Sequence, residues 1–311
     1  MKTLLVLTDF SKNAKNAAEA AINLAEKFHF GKVLLVNNYI NALFLPSADY
    51  IALPPDYYTA FKDESITQMK NECRRLQEII TNQKLPSGKV SIDSLNLAGT
   101  VADHLGTILK QNDITLILMG ARRKIAGDFL FGSTINAVIQ KANCPVLIVP
   151  QGQSVIHFKH IIFATDLELA DIEAINYLIE LYKNEHFHLS ICHVTTPALL
   201  IPDFEEEDKY GQFMNALSKL KHKNISYHGL EGTNITKVLE KFEQETMADL
   251  FVITHRKHSF VWRIFHQSPS RSLIKYQNIS LMTLPEHFGE QNTKSAMKSK
   301  NRNSNPSLYI L

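Results

Sequence analysis

The sequence predicts an α/β protein built from two tandem, doubly wound, mostly parallel five-stranded sheets. Three observations carry that prediction. Short apolar runs alternate with helical periods through residues 1–150. The same order of segments returns after residue 158. Turns rich in Gly, Ser and Thr fall where an apolar run gives way to a helical one, as at 8–11 and 119–134. Strands that alternate with helices lie parallel in one sheet covered on both faces.

Residues 2–7 are an apolar run that suits a buried parallel strand. Thr8, Asp9, Phe10 and Ser11 close it, and Ser11 is placed to cap the next helix. Ala17, Ala18, Ala20, Ala21, Leu24 and Ala25 give that helix a small-residue face for close packing on a sheet. Residues 33–36 are a second strand. Residues 41–57 contain Pro46, Pro54 and Pro55 and predict a loop or broken segment. Residues 58–83 are helical in period and rich in charge, either a solvated amphipathic cover or a docking face for another subunit. A third strand is expected over 90–97. Gly99 and Thr100 then open a helix over 101–109, and a fourth strand covers 114–119. The fourth helix is Ser133–Lys141, and the fifth strand lies between Pro145 and Pro150, bounding prolines that suit an edge.

Right-handed crossovers put the loops after strands one and four at the carboxyl edge, where doubly wound sheets bind ligands. Thr8, Asp9 and Gly120 therefore share one crevice in this reading. Gly120, following Met119, is free to take a positive φ, and Gly132 removes a side chain where a ligand would approach. Ser133 and Thr134 suit a helix start, whose free N–H groups attract anions. Two readings fit this stretch: a phosphate site, or an ordinary βα loop ahead of a capped helix.

The second half repeats the first. Residues 2–9 match 159–166, with Asp9 at Asp166; Gly99 and Thr100 match Gly232 and Thr233; 116–120 match 250–254; and the closing strand before Pro150 matches 279–284 before Pro285. An ordered set of matches across a whole domain is a far stronger signal than one motif. The expected organisation is a first domain over 1–150, a linker within 151–157, a second domain over 158–285, and a polar, mobile tail over 286–311.

The chain has 311 residues, 45% hydrophobic and 21% charged, with a formal net charge of +2. That balance predicts no nucleic-acid and no membrane partner. The apolar run near the start, Leu4 to Leu7, is too short for a signal-peptide core, and no run approaches the about 20 residues of a membrane span. Cys73, Cys144 and Cys192 are odd in number and lack metal-site spacing, so a cytoplasmic location is expected. His255 with His258, and His186 and His188 (read as one strand face) with His193, have no Cys or carboxylate at a ligand spacing; they predict no metal. Neither a P-loop nor a nucleophile elbow is present, and Asp103, His104 and Glu231 pair with no nucleophile, so no catalytic residue is assigned.

The run 7–11 after strand one, Met119 and Gly120 after strand four, Gly132 and Ser133 opening helix four, and the closing 142–150 segment together resemble the universal stress protein family in tandem form. The resemblance spans both repeats, to about Pro285. It implies a Rossmann-like five-stranded domain, pairing of the two domains through their last strands, and in many members ATP in the crevice. ATP-binding members carry Gly, two residues, Gly, nine residues, then Gly with Ser or Thr. Here Gly120 matches the first glycine and Gly132 with Ser133 the last pair, while Arg123 stands at the second and the loop is one residue shorter. The resemblance assigns Thr8 and Asp9 to the adenine and ribose side, and Met119, Gly120, Gly132, Ser133 and Thr134 to ribose and phosphates. Arg122, Arg123 and Lys124 either supply compensating charge or form a solvated basic loop. In the second repeat Thr254, Lys257 and Gln267 replace the glycines, and only Asp166 and Ser268 remain, so that site is degenerate. Its basic and aromatic stretch, with Trp262 and Phe265, is either a packed loop or a partner surface. The expected function is a non-enzymatic stress-response factor with weak adenine-nucleotide (ATP) binding in the first domain, compatible with homo-oligomers and protein partners. The alternatives are a nucleotide-dependent hydrolase or transferase, and a nucleotide-free scaffold.

Overall fold

A computed structural model of the chain describes residues 2–39, 55–82, 90–121, 133–150, 152, 157–195, 204–256 and 279–286. The first repeat supplies β1 (Thr3–Leu7), α1 (Lys12–Lys27), β2 (Lys32–Tyr39), α2 (Pro55–Asn82), β3 (Ser91–Ala98), α3 (Val101–Gln111), β4 (Ile114–Ala121), α4 (Ser133–Lys141) and β5 (Val146–Pro150). The second supplies β6 (His160–Ala164), α5 (Leu169–Leu181), β7 (His188–Thr195), α6 (Phe204–Leu217), β8 (Ile225–Glu231), α7 (Ile235–Thr246), β9 (Leu250–His255) and β10 (Ser280–Pro285).

These ten strands form one sheet in the order β3-β2-β1-β4-β5-β10-β9-β6-β7-β8. Within each half every pairing is parallel, and the strand order reverses beside β1 and beside β6. The halves meet through an antiparallel pairing of β5 with β10, Leu281 opposite Ile148 and Thr283 opposite Val146. The fold class is thus the α/β, doubly wound one expected. The two closing strands, each an edge of its own repeat, cover one another, which removes two exposed hydrogen-bonding edges.

Local sequence accounts for most elements. All five residues of β1 are buried, since the strand lies between two others and under helices on both faces, hence its unbroken apolar run. Ser11 caps α1, its Oγ accepting from Ala14 N at 3.3 Å. Ala17, Ala18, Ala21 and Ala25 on α1 are fully buried and let the helix lie close to the sheet. Asp103 closes the start of α3, accepting from Thr100 N at 3.1 Å and Thr100 Oγ1 at 2.6 Å.

Two local expectations need correction. The break expected through Tyr57 ends earlier, because α2 begins at Pro55. Proline has no N–H to lose and a fixed helical φ, so it fits the first turn of a helix as well as a break. Residues 41–54 of that segment lie outside the described residues. His186 precedes β7 and so shares no strand face with His188. The tail beyond Glu286, and Trp262 and Phe265, also lie outside the described residues.

Helix α2 covers the sheet at β2 and β3 and packs beside α1, burying Met69, Leu76 and Ile80. Glu72, deeply buried on this helix, accepts from Arg75 at 2.8 and 3.0 Å, so the charge is not left unpaired. The core has two layers, one on each sheet face, and both run through the two repeats. One gathers side chains of α1, α2, α5 and α6, the other those of α3, α4 and α7. Contacts between repeats add to the strand join. Phe28 meets the buried Tyr182 edge-on with ring centroids 5.2 Å apart, Lys27 Nζ lies 3.1 Å from Glu185, and Asn16 Nδ2 donates to Pro150 O at 3.2 Å.

Candidate functional site

The carboxyl ends of β1 and β4 are neighbours, with Leu7 opposite Met119. At the end of β1 the chain turns through three nested hydrogen bonds. Thr8 Oγ1 accepts from Phe10 N at 3.0 Å, Asp9 Oδ1 accepts from Ser11 N at 3.0 Å, and Ser11 then caps α1. Phe10 takes a left-handed φ of 59° to complete the turn. Thr8 itself is buried and its carbonyl accepts from Asn37 Nδ2 at 2.7 Å, while Ser65 of α2 donates to Asn37 Oδ1 at 2.7 Å. A rigid base therefore presents an exposed Asp9 at the crevice rim.

Across the crevice, Met119 is buried in the apolar layer beneath α3 and α4, so only its backbone is available at the edge. Gly120 is not in the left-handed region, contrary to the positive φ its position allowed. Its requirement is space. A Cβ there would stand 2.3 Å from Asn13 O and 2.8 Å from Ala14 N, so the glycine lets the first turn of α1 press against β4. Ser133 and Thr134 are exposed in the first turn of α4, and the right-handed crossover from β4 brings that turn to the same edge. Gly132 and the basic triplet Arg122, Arg123 and Lys124 lie outside the described residues.

The second repeat builds the same turn and fills the space beside it. Leu167 N donates to Thr165 Oγ1 at 2.9 Å, Leu167 takes a φ of 62°, and His193 Nδ1 donates to Thr165 O at 2.9 Å, reproducing Thr8, Phe10 and Asn37. Counting from the matched aspartates, Ala14 corresponds to Asp171, and Gly120 to Thr254. Asp171 is 1% exposed and accepts from Thr165 Oγ1 at 2.7 Å, from Thr254 Oγ1 at 2.8 Å and from the Arg256 guanidinium. Arg256 is 8% exposed. Where the first repeat has a small-residue contact, the second therefore holds a buried ion pair with two hydroxyl partners. Sequence reasoning stopped at the lost glycines. The available signal was Asp171, a carboxylate at a helix position where the first repeat has alanine.

Other chemistry-bearing groups have structural partners. His104 Nε2 donates to Ala98 O at 2.7 Å, and hydrogen bonds from Thr100 hold the Asp103 carboxyl below its usual range. Burial pushes the Cys144 thiol up to about 12 and raises those of Cys192 and Cys73 as well, which keeps all three protonated and poor nucleophiles at neutral pH. Among the described residues, no group of three or more His, Cys, Asp or Glu could hold a metal, and no helix is long and apolar enough to cross a membrane.

A duplicated, doubly wound α/β sheet whose carboxyl edge carries a hydrogen-bonded turn opposite a helix start defines a tandem protein of the open-sheet α/β class. Residues 1–150, just under half of the chain, match the model of the universal stress protein family. In overall fold the chain is similar to a universal stress protein from Archaeoglobus fulgidus, with 15% identity, 91% of this chain and 98% of that one covered, and a TM-score of 0.59. A putative universal stress protein from Pseudomonas aeruginosa is similar as well, with 10% identity, 95% and 97% covered, and a TM-score of 0.54. No curated protein sequence matches the chain.

Proposed function

We propose that this chain is a non-enzymatic, cytoplasmic stress-response protein that holds one adenine nucleotide, ATP or a relative, in its first repeat and none in its second. In this reading residues 1–150 are the binding domain, 158–285 are a closed domain that completes the sheet, and 286–311 are a tail. Asp9 and the backbone at Thr8 receive the adenosine part. The backbone at Met119 and Gly120, with Gly132, Ser133 and Thr134, receives ribose and phosphates, since free N–H groups at a helix start suit an anion. The output runs through protein partners or self-association.

The observation that carries the reading is the contrast between two crevices built on one turn. Beside Thr165 the protein places its own cation and carboxylate, Arg256 and Asp171; the corresponding helix position beside Thr8 is Ala14. The test is calorimetric titration of the full chain with ATP, together with absorbance and mass spectrometry of small molecules released on denaturation. One site per chain, weakened by Asp9→Ala, is expected. Two equivalent sites would overturn the assignment, and ATP turnover abolished by Asp9→Ala would replace it with an enzyme.

A further inference from the structure

The join of β5 to β10 covers the inner edge of both repeats, so the ten-stranded sheet ends in β3 on one side and β8 on the other. The ladder fixes which groups of β3 face outward. Ser91 N donates to Gly31 O at 3.0 Å and Gly99 N to Tyr39 O at 3.0 Å, so the odd-numbered residues from 91 to 99 bond to β2. The N–H and C=O groups of Ile92, Ser94, Asn96 and Ala98 therefore point away from the sheet. Natural sheets blunt such an edge with charge, proline or a bulge. None of these occurs at the outward positions of β3. The strand pairs with β2 over its 8 residues without a register shift, and its one charged residue, Asp93, is held by Lys32 of β2 at 3.2 Å. Leu95, in the middle of the strand, is 37% exposed.

The other edge is guarded. Counting in the same way from Gly232 N, which donates to Thr195 O at 3.1 Å, β8 turns Ile225, Tyr227, Gly229 and Glu231 outward. Gly229 weakens the strand, Glu231 puts a charge at its end, and the ring of Tyr227 is engaged by Tyr210 of α6, centroids 5.5 Å apart. On β3 a separate observation marks the edge as incomplete. Asn96 stands opposite Asn37 and so shares the face covered by α2, and its Oδ1 is buried with no hydrogen-bond partner among the described residues. Native structures leave few buried acceptors unmet. Ser94 lies on the same face, where its hydroxyl reaches the Cys73 thiol of α2.

We propose that β3 is a self-association edge, pairing antiparallel with β3 of a second copy of this chain across a twofold axis at Leu95. The strand is self-complementary in that register. Ile92 stands opposite Ala98 of the second copy and Ser94 opposite its Asn96, so every outward N–H and C=O of these residues is paired. Ser94 then brings a hydroxyl donor to the unmet Asn96 Oδ1 on each side of the axis. On the opposite face Leu95 meets Leu95 and Asp93 meets Leu97, so no like charges are opposed. The occupant is a second copy because this one register satisfies backbone, amide and leucine together. Such an isologous contact closes as a dimer and joins two ten-stranded sheets into one. This edge is the surface for the self-association proposed above, and it stands apart from the nucleotide reading.

The test is sedimentation of the full chain from about 1 to 200 µM, with thermal unfolding of each protein. The parent should pass from monomer to dimer within that range, without added ATP. Leu95→Lys sets two like charges on the axis, and Ser94→Pro removes an outward N–H while leaving the ladder to β2 intact. Each should weaken the dimer about tenfold or more in folded protein, and Glu231→Lys on the β8 edge should leave it unchanged. Under mild oxidation Leu95→Cys should form a covalent dimer, because residues facing across a non-hydrogen-bonded antiparallel pair lie about 4.5 Å apart, whereas Asp93→Cys should not. A parent that stays monomeric, or a dimer that survives either edge change in folded protein, would overturn the proposal. Crosslinking of Asp93→Cys in place of Leu95→Cys would overturn it as well. Each of these outcomes leaves the ATP titration and the nucleotide reading as they stand.

Discussion

Arg256 and Asp171 form a buried ion pair at the carboxyl ends of β9 and β6, 85 residues apart in the chain. The pair gains from low dielectric only because Thr165 and Thr254 satisfy the remaining carboxylate positions. Removing one member leaves a buried charge alone. Arg256→Ala should destabilise the protein by about 3–5 kcal/mol, and the double change Asp171→Ala with Arg256→Met by clearly less. Urea unfolding of the parent and the two variants measures this, and equal losses in the single and double variants would contradict it.

The glycine and threonine at matched strand ends should not be interchangeable. Gly120→Ala drives a Cβ into the backbone of Asn13 and Ala14, so α1 must shift, at about 1–3 kcal/mol. Thr254→Gly removes one donor from Asp171 and should cost about 1–2 kcal/mol. Thermal unfolding reads both. A neutral Gly120→Ala would show that α1 is not held against β4 as described.

The β5–β10 join predicts the behaviour of the first repeat by itself. Residues 1–150 in isolation would expose the edge of β5, whose residues are all buried in the full chain. Such an edge seeks a partner strand. Sedimentation at roughly tens of micromolar should find self-association, reduced by Leu147→Lys. A stable monomer would argue against the join as the force that unites the repeats.

Three histidines and two serines form a chain on β6, β7 and β8. His160 Nε2 meets Ser190 Oγ at 2.9 Å, and His188 and His228 both reach Ser226 Oγ, at 2.8 and 2.7 Å. Burial first, and then neighbouring histidines, lower the pKa of His188 and of His228. A histidine with a lowered folded pKa leaves the unfolded state holding more protons once the pH drops below about 6.5. Stability should therefore be full above that pH and decline as the pH falls through the folded values. Glu243 acts the other way, because burial raises its carboxyl to about 7, so its contribution declines as the pH rises toward 7. Unfolding free energy measured from pH 5 to 8 should fall less steeply on the acid side in His188→Gln with His228→Gln. Glu243→Gln should raise stability at pH 8, and an unchanged acid slope in the double histidine variant would remove the explanation.

The sequence by itself determined the α/β class, the duplication and several helix starts. Ser11 caps α1, and Gly99 with Thr100 precedes α3, because capping and periodicity depend on residues a few positions apart. It also brought Thr8, Asp9 and Gly120 to one edge, since crossover handedness and strand order leave little choice. What tertiary structure decided lies between distant segments. Pro55 became a helix start rather than a break, and Gly120 proved to serve helix contact rather than a left-handed turn. The partnering of Asp171 with Arg256, and the Asn38 amide that has no partner among the described residues beside its bonded neighbour Asn37, depend on which atoms meet across the sheet edge. Residue spacing records how far apart groups lie along the chain, whereas burial and hydrogen bonding depend on separation in space, which the packing of α1 and α5 on their strands sets.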